Sequence, residues 1–401
     1  MTHAFCLPTT INAETFLRDY WQKKPLLIRQ GLPQIIGMFE PQDIIELAQD
    51  PDATARLIRT DMVQNQAQWQ LKTSPLSAQD FSNLPEKWSV LVQNLEQWSP
   101  ELGKLWQAFA FIPQWQRDDI MVSFAPKGGS VGKHYDEYDV FLVQGYGERR
   151  WQLGKWCDPS TEFKANQPIR IFDDMGELIF DEVLQPGDVL YVPSRLSHYG
   201  VAESDCLTFS FGLRYPNAAD LLENLCKTIE HHSEQINSSD FAIPFRLSPK
   251  PQPNGQLNSE SVANFKQHLL DLLANSSQFD ALLQQAVAQT VSARRYDLLP
   301  TDAEYYPDEL LEMLQAGDRL SQDANCKIIY TDNGNIFING EWIDELSEVE
   351  QALLADFANG KSVDWQYLQQ LADHISLDLL LDSLCDWLDN GWLLVESADD
   401  V

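Results

Sequence analysis

The stretch from residue 120 to residue 213 does most to decide what this chain can fold into. Strand-like segments recur at 120–125, 138–144, 149–153, 169–172, 189–192 and 207–213. Turns such as Gly128-Gly129-Ser130-Val131-Gly132 and Pro186-Gly187-Asp188 separate them, and few helical patterns intervene. Short strands with Gly and Pro punctuation at this density predict an antiparallel sandwich or barrel.

The flanks read as helical. Asn12 has the character of an N-cap, with Phe16, Tyr20 and Trp21 on the apolar side of the helix that follows. Lys24-Pro25 ends it, Leu26-Leu27-Ile28 reads as a short strand, and Pro41 opens a second helix with Ile44, Ile45 and Leu47. A further helix is expected between Trp88 and Trp106, on Leu91, Leu95 and Trp98. Beyond Pro216, helices are expected over 218–235, 261–274 and 279–294, with a Pro-rich linker over 247–255. In the last hundred residues, Asp332-Asn333-Gly334 between two isoleucine-rich segments is a hairpin signal. Helical patterns follow over 350–357, 365–372 and 377–388, then a strand over 392–395. Helices with a small sheet make the pattern of a winged helix.

Charge narrows the function. The 401 residues carry 28 Lys plus Arg against 60 Asp plus Glu, a formal net charge of −32. Such a surface repels phosphate backbones and anionic lipid, and attracts a basic protein. Plain nucleic-acid binding is therefore disfavoured. Six scattered cysteines without a Cys-x-x-Cys pair suit reduced thiols rather than a disulfide framework or a cysteine zinc site. No basic leader precedes an apolar run, and no apolar run is long enough to span a bilayer, so a soluble, cytoplasmic protein is expected.

Seven histidines can be weighed one by one. His231 and His232 lie among Glu230 and Glu234 on what reads as a solvated face, and His268 and His374 have no second ligand at metal spacing. His134 and His198 differ. In an extended chain His134 and Asp136 share a face and can converge on one ion. His198 follows the turn–strand–turn of 186–193, at a strand end that a barrel could bring beside that pair. Two imidazoles and one carboxylate make the facial triad of non-haem Fe(II) oxygenases, in which the cosubstrate and O₂ take the remaining positions. Along Arg149-Arg150-Trp151-Gln152-Leu153, alternation turns Arg149 inward, where a guanidinium needs an anion. The distal carboxylate of 2-oxoglutarate fits a bidentate fork; a buried structural ion pair is the alternative. Ser123 shares a face with Met121 and Ala125. It offers a second hydrogen bond to that carboxylate, unless it is an ordinary satisfied strand serine.

These residues carry a resemblance. Ser123, His134-x-Asp136, Tyr138-Asp139-Val140-Phe141, Gln144-Gly145 and Arg149-Arg150-Trp151 together are similar to the JmjC ribosomal oxygenases. Phe16-Leu17-x-x-Tyr20-Trp21-Gln22-Lys23-Lys24-Pro25-Leu26 resembles the family's opening, 186–198 its second metal segment, and Phe209-Ser210-Phe211-Gly212-Leu213-Arg214 its closing barrel strand. The resemblance implies an α+β chain. A JmjC/cupin double-stranded β-helix (jelly roll) with N-terminal helices would occupy 1–215, a helical dimerisation region 216–295, and a winged helix 296–401. It implies Fe(II) at His134, Asp136 and His198, and 2-oxoglutarate at Arg149 and Ser123. Many JmjC enzymes anchor the cosubstrate with a lysine on another strand; an arginine is the feature of this subgroup. The implied reaction is hydroxylation of an arginine β-carbon in a large-subunit ribosomal protein, and the net charge suits so basic a substrate.

Two rivals stand beside this reading: hydroxylation of another residue such as histidine, and a non-enzymatic cupin with a DNA-binding winged helix. The second expects a basic recognition helix, yet 377–388 carries Asp378, Asp382 and Asp386 and neither Lys nor Arg. Leu221, Leu222, Leu225, Leu269, Leu270, Leu282 and Leu283 make more apolar surface than isolated helices can cover, and a two-fold homodimer is expected. Light scattering at several salt concentrations should return the mass of two chains throughout; the mass of one chain at micromolar protein would refute the dimer.

Overall fold

Alternating, β-branched and aromatic segments of the first 215 residues pair into two antiparallel sheets in this computed structural model. The structure describes residues 5–63, 66–232, 241, 244–245, 255–276, 278–296, 298, 304–372 and 374–398. The strands are β1 (Leu26–Ile28), β2 (Ala55–Val63), β3 (Gln66–Thr73), β4 (Trp88–Val92), β5 (Arg117–Ala125), β6 (Val140–Tyr146), β7 (Arg149–Trp156), β8 (Phe180–Leu184), β9 (Val189–Val192), β10 (Leu196–Ala202) and β11 (Cys206–Leu213). The larger sheet runs β1-β9-β6-β11-β5-β4-β2-β3 and the smaller β10-β7-β8. This is the expected jelly roll.

Strand burial follows position. β11 is buried along its whole length, because β5 and β6 flank it and both of its faces are covered. β7 alternates: Arg149, Trp151 and Leu153 are buried while Arg150 is exposed. The main core sits on the larger sheet and draws in the N-terminal helix Ala13–Asp19 through Phe16, which packs on Phe111, Phe141 and Tyr191. Asn12 caps that helix, its side chain accepting from the Thr15 N–H at 2.8 Å.

The helix expected between Trp88 and Trp106 is replaced by β4, a single 3₁₀ turn at Leu95–Gln97 and a short helix at Pro100–Lys104. Trp88-Ser89-Val90-Leu91-Val92 is better satisfied as a strand between β2 and β5, whose ladders pair its backbone on both sides. Residues 169–172 are not a strand. Single hydrogen bonds from Lys164 N to Ile171 O and from Phe172 N to Lys133 O hold them in the β7–β8 connection, so Ile171 and Phe172 are buried without a ladder. Strands β2, β3, β8 and β10 carried no clear sequence signal. The linker expected over 247–255 lies outside the described residues except Gly255, as do the last residues of the helix expected over 218–235.

Two compact units are distinguishable. The barrel unit comprises 1–215 with 294–326 and 359–401. Its C-terminal part holds the helices Pro307–Ala316, Trp365–Leu371 and Leu377–Asp389, with an antiparallel pair formed by β12 (Arg319–Gln322) and β16 (Leu393–Glu396). The other unit comprises 216–293 and 327–358. Here the helices Ala218–His231 and Phe279–Ser292 pack through Leu225, Leu282 and Ala286. A three-stranded meander of β13 (Ile328–Tyr330), β14 (Ile336–Ile338) and β15 (Glu341–Ile343) contains the hairpin expected at Asn333-Gly334.

Phe109 is fully buried against Trp106, Phe141 and Phe211. Phe109→Ala should destabilise the protein by about 3–5 kcal/mol, the cost of a lost buried ring and the cavity it leaves, read from the shift of a urea unfolding midpoint.

Candidate metal centre

The barrel brings His134 and His198 together through the backbone first. The His134 N–H donates to His198 O at 3.1 Å and the His198 N–H to His134 O at 2.8 Å, an isolated antiparallel bridge. Two residues on, the Arg195 N–H donates to Asp136 O at 2.7 Å, so the turn between β9 and β10 also ties down the third residue. Arg195 adopts φ +63°, a left-handed conformation disfavoured for a side chain of this size. Its guanidinium is anchored on Glu137 at 2.6 Å.

Side chains then converge. One ligand atom from each of His134, Asp136 and His198 lies within 4.8 Å of the others. His198 Nε2 is 3.1 Å from His134 Nε2 and 3.4 Å from Asp136 Oδ2. Each imidazole hydrogen-bonds a backbone carbonyl through Nδ1: His134 to Gly132 O and His198 to Leu196 O, both at 3.0 Å. That leaves the Nε2 lone pairs aimed inward, the arrangement a metal ligand requires. Burial, then the facing His198, push the His134 pKa down to about 4. Although burial works to raise it, the hydrogen bond from His198 and the neighbouring imidazole charges hold the Asp136 carboxyl below its usual range. Two imidazoles and one carboxylate form a donor set suited to a divalent transition ion.

Arg149 and Ser123, the other residues singled out from the sequence, meet at the adjacent barrel wall. Arg149 is 1% exposed, which rules out solvent as its counter-ion. Its Nη1 donates to Ser123 Oγ at 3.3 Å and its Nη2 to Gly200 O at 3.4 Å, while Nε is buried without a partner among the described residues. No ion pair among the described residues includes it, so the structural ion pair weighed above is absent there. The guanidinium lies 5.0 Å from the Trp151 ring centroid. Gly200 makes its room: a Cβ there would come within 2.6 Å of Arg149 Nε and 2.7 Å of the Trp151 ring. A buried guanidinium with long contacts and an unused donor is built for an anion that arrives from outside.

The sequence reading missed two groups. Asp139, fully buried, accepts from Tyr191 Oη at 2.5 Å, Gln22 Nε2 at 3.3 Å and Ser194 N at 3.3 Å, locking the β9–β10 turn that carries Arg195. Asp118, Asp119, Met121, Tyr138, Ser210 and Arg295 line a cavity. Tyr138 relates it to the triad: the Asp136 charge, then burial, then the Asp119 charge hold its phenol strongly in the neutral form. Extending the alternation of β5 back from Ser123 through Met121 reaches Asp119, and that signal was available in the sequence.

A JmjC domain model matches residues 104–221 and a ROXA-like winged-helix model residues 258–394. A probable ribosomal oxygenase of Haemophilus influenzae is 61% identical over 399 residues, 98% of each chain. A ribosomal protein uL16 3-hydroxylase of Escherichia coli is 29% identical over 335 residues, 84% of this chain and 86% of that one. The structure of an Escherichia coli ribosomal oxygenase, YcfD, in complex with cobalt and 2-oxoglutarate superposes with a TM-score of 0.74 at 26% identity, covering 97% of this chain and 99% of that one.

Titration with Mn(II), followed by its paramagnetic signal, should show one ion held per chain. Removing an outer-sphere partner alone costs about 10–100-fold in metal affinity, so loss of a direct donor in Asp136→Ala should weaken binding at least about tenfold; unchanged affinity would place the ion elsewhere.

Proposed function

That the chain belongs to the JmjC ribosomal oxygenase family is the premise from which we propose its reaction: Fe(II)- and 2-oxoglutarate-dependent hydroxylation of an arginine side chain, at the β-carbon, in a large-subunit ribosomal protein. The cobalt and 2-oxoglutarate bound by the Escherichia coli oxygenase support the same pair of ligands here. His134, Asp136 and His198 would hold the iron, and Arg149 with Ser123 the distal carboxylate of 2-oxoglutarate. With 2-oxoglutarate and O₂ bound, iron supplies the oxidising power that inserts one oxygen atom into a C–H bond, with succinate and CO₂ as co-products.

The chain's own residues bind, orient and shield. Backbone carbonyls of Gly132 and Leu196 hold the two imidazole planes, which would orient both rings toward the ion. Arg149 neutralises a carboxylate in a water-poor wall, where a charge-assisted pair is stronger than in solvent. Trp151 and Leu153, buried on the same strand face, keep that wall apolar.

The cavity carries the choice of arginine. Asp119 offers an acceptor to a guanidinium, Asp118 being held by Arg295 and Arg214, while Tyr138 and Met121 offer a ring face and a thioether to its flat surfaces and methylenes. Exposed apolar side chains on the helix Ser259–Asn275, namely Val262, Phe265, Leu269 and Leu270, support a homodimer, since no residue of that helix is buried within one chain. The three-part division 1–215, 216–295 and 296–401 is retained as the functional organisation. In the last part Arg319, Lys327 and Lys361 are the basic side chains, and the helix Leu377–Asp389 has none. That favours a basic protein partner without direct nucleic-acid contact. No helix among the described residues is long and apolar enough to cross a membrane, and a cytoplasmic site of action, where ribosomal proteins are met, completes the reading.

Incubation with Fe(II), 2-oxoglutarate, O₂ and peptides from basic large-subunit ribosomal proteins should add one oxygen to an arginine, located by fragment-ion mass spectrometry. Oxygen on histidine, with arginine peptides unmodified, would overturn the assignment.

A further inference from the structure

A second guanidinium faces the inside of the barrel. β2 pairs with β4 and β4 with β5, and the registers Arg56↔Leu91 and Leu91↔Ser123 set three residues in one row. Residues directly opposite one another in a ladder share a face. Arg56 therefore points to the side on which Ser123 meets Arg149. Arg59, three residues on, alternates to the other side. Arg56 is half-buried, and its Nε is buried without a partner among the described residues. Its Nη2 donates to Met121 Sδ at 3.5 Å, and a thioether is a weak acceptor. In a chain with 60 Asp plus Glu, no ion pair among the described residues includes Arg56.

Met121 joins this guanidinium to the cavity. Its side chain meets Arg56, and it lines the cavity together with Asp119 and Tyr138. The charge of Arg56 also acts on Asp136 and on Tyr138, in accord with that placement. A guanidinium drawn partly out of water with a sulfur as its acceptor is costly unless an oxygen completes it. The distal carboxylate of 2-oxoglutarate is assigned to Arg149, which leaves the protein substrate to supply that oxygen. A basic segment has few carboxylates to offer, whereas every residue in it carries a main-chain carbonyl.

We propose that Arg56 is a substrate-binding residue whose guanidinium donates to a main-chain carbonyl oxygen of the protein substrate, within one residue of the side chain that enters the cavity. This rests on the reading of the cavity as the seat of the target side chain. Because Met121 belongs both to the cavity and to the Arg56 contact, the acceptor lies near the root of that side chain. Asp119 then receives the far end of the substrate residue and Arg56 its main chain. Two fixed points, one at each end, set which carbon faces the metal.

The test uses the full chain loaded with Mn(II) and 2-oxoglutarate, and the ribosomal-protein peptide whose arginine the iron-loaded wild type hydroxylates. Peptide affinity is read by fluorescence anisotropy. Arg56→Met keeps the length of the side chain and removes its donors. It should weaken peptide binding about tenfold or more, the loss of a hydrogen bond to a charged group, while Mn(II) and 2-oxoglutarate affinities stay as in the wild type. A series of peptides, each with one main-chain amide replaced by an ester, then locates the acceptor, since an ester carbonyl accepts more weakly. One ester within a residue of the target should weaken binding to the wild type and leave binding to Arg56→Met unaltered. Arg56→Gln, with a shorter donor, gives the same comparison if Arg56→Met does not fold. Unchanged peptide affinity in the variants overturns the proposal, as does a parallel loss of Mn(II) or 2-oxoglutarate affinity, which would assign Arg56 to those ligands. An ester series in which no position distinguishes wild type from variant overturns the main-chain acceptor. Failure of the wild type to bind or hydroxylate any such peptide overturns the reading of the reaction, and this proposal with it.

Discussion

One pair of reciprocal backbone hydrogen bonds, between His134 and His198, holds the rest of the site in place. It ties the β5–β6 connection to β10, and so sets how far apart two imidazoles separated by 64 residues can stand. Rotamers alone could not do this. A side chain can swing by several ångströms, whereas a bridged backbone leaves only the ring torsions free, and the Gly132 and Leu196 carbonyls take up those. The cost is met nearby: Arg195 accepts a left-handed conformation so that its N–H reaches Asp136 O, and the buried Asp139–Tyr191–Gln22 network holds that turn.

Two of the buried polar atoms without a partner bear on the surroundings of the site. Arg149 Nε and Glu96 Oε1 are both buried and unpaired among the described residues, the first on the wall next to the triad and the second on the 3₁₀ turn Leu95–Gln97. A buried donor or acceptor without a partner costs more than its hydrogen bond returns when made. Arg149 is such a group on the wall next to the triad, and an anion reaching it would complete its hydrogen bonding. Gly200 shows the same economy in steric form, since only the absence of a Cβ admits the Arg149 guanidinium beside Trp151.

Local pattern failed where tertiary pairing outweighed it. Leu91, Leu95 and Trp98 have helical spacing, but β2 and β5 offer Trp88–Val92 a ladder on each side, and two ladders outweigh one turn of propensity. Ile169 to Phe172 read as a strand because it is apolar and β-branched. It has no partner edge, and it serves the β7–β8 connection by burying Ile171 and Phe172 instead. β10 was invisible for the opposite reason: Leu196-Ser197-His198-Tyr199-Gly200 has little strand character and becomes a strand only because β7 pairs with it.

The sequence by itself determined the His134–Asp136 pair, the inward arginine and the barrel class, because each depends on short-range rules. Alternation puts His134 with Asp136 and Arg149 with Trp151 on shared faces whatever the rest of the chain does, and Gly-Pro punctuation limits strand length. Only the tertiary structure decided what faces these groups across the barrel. The bridge of His134 with His198, the approach of Arg149 to Ser123 and Gly200, and the cavity lined by Tyr138 bring together strands and turns far apart in the chain. Their existence depends on register and burial, which no local pattern encodes.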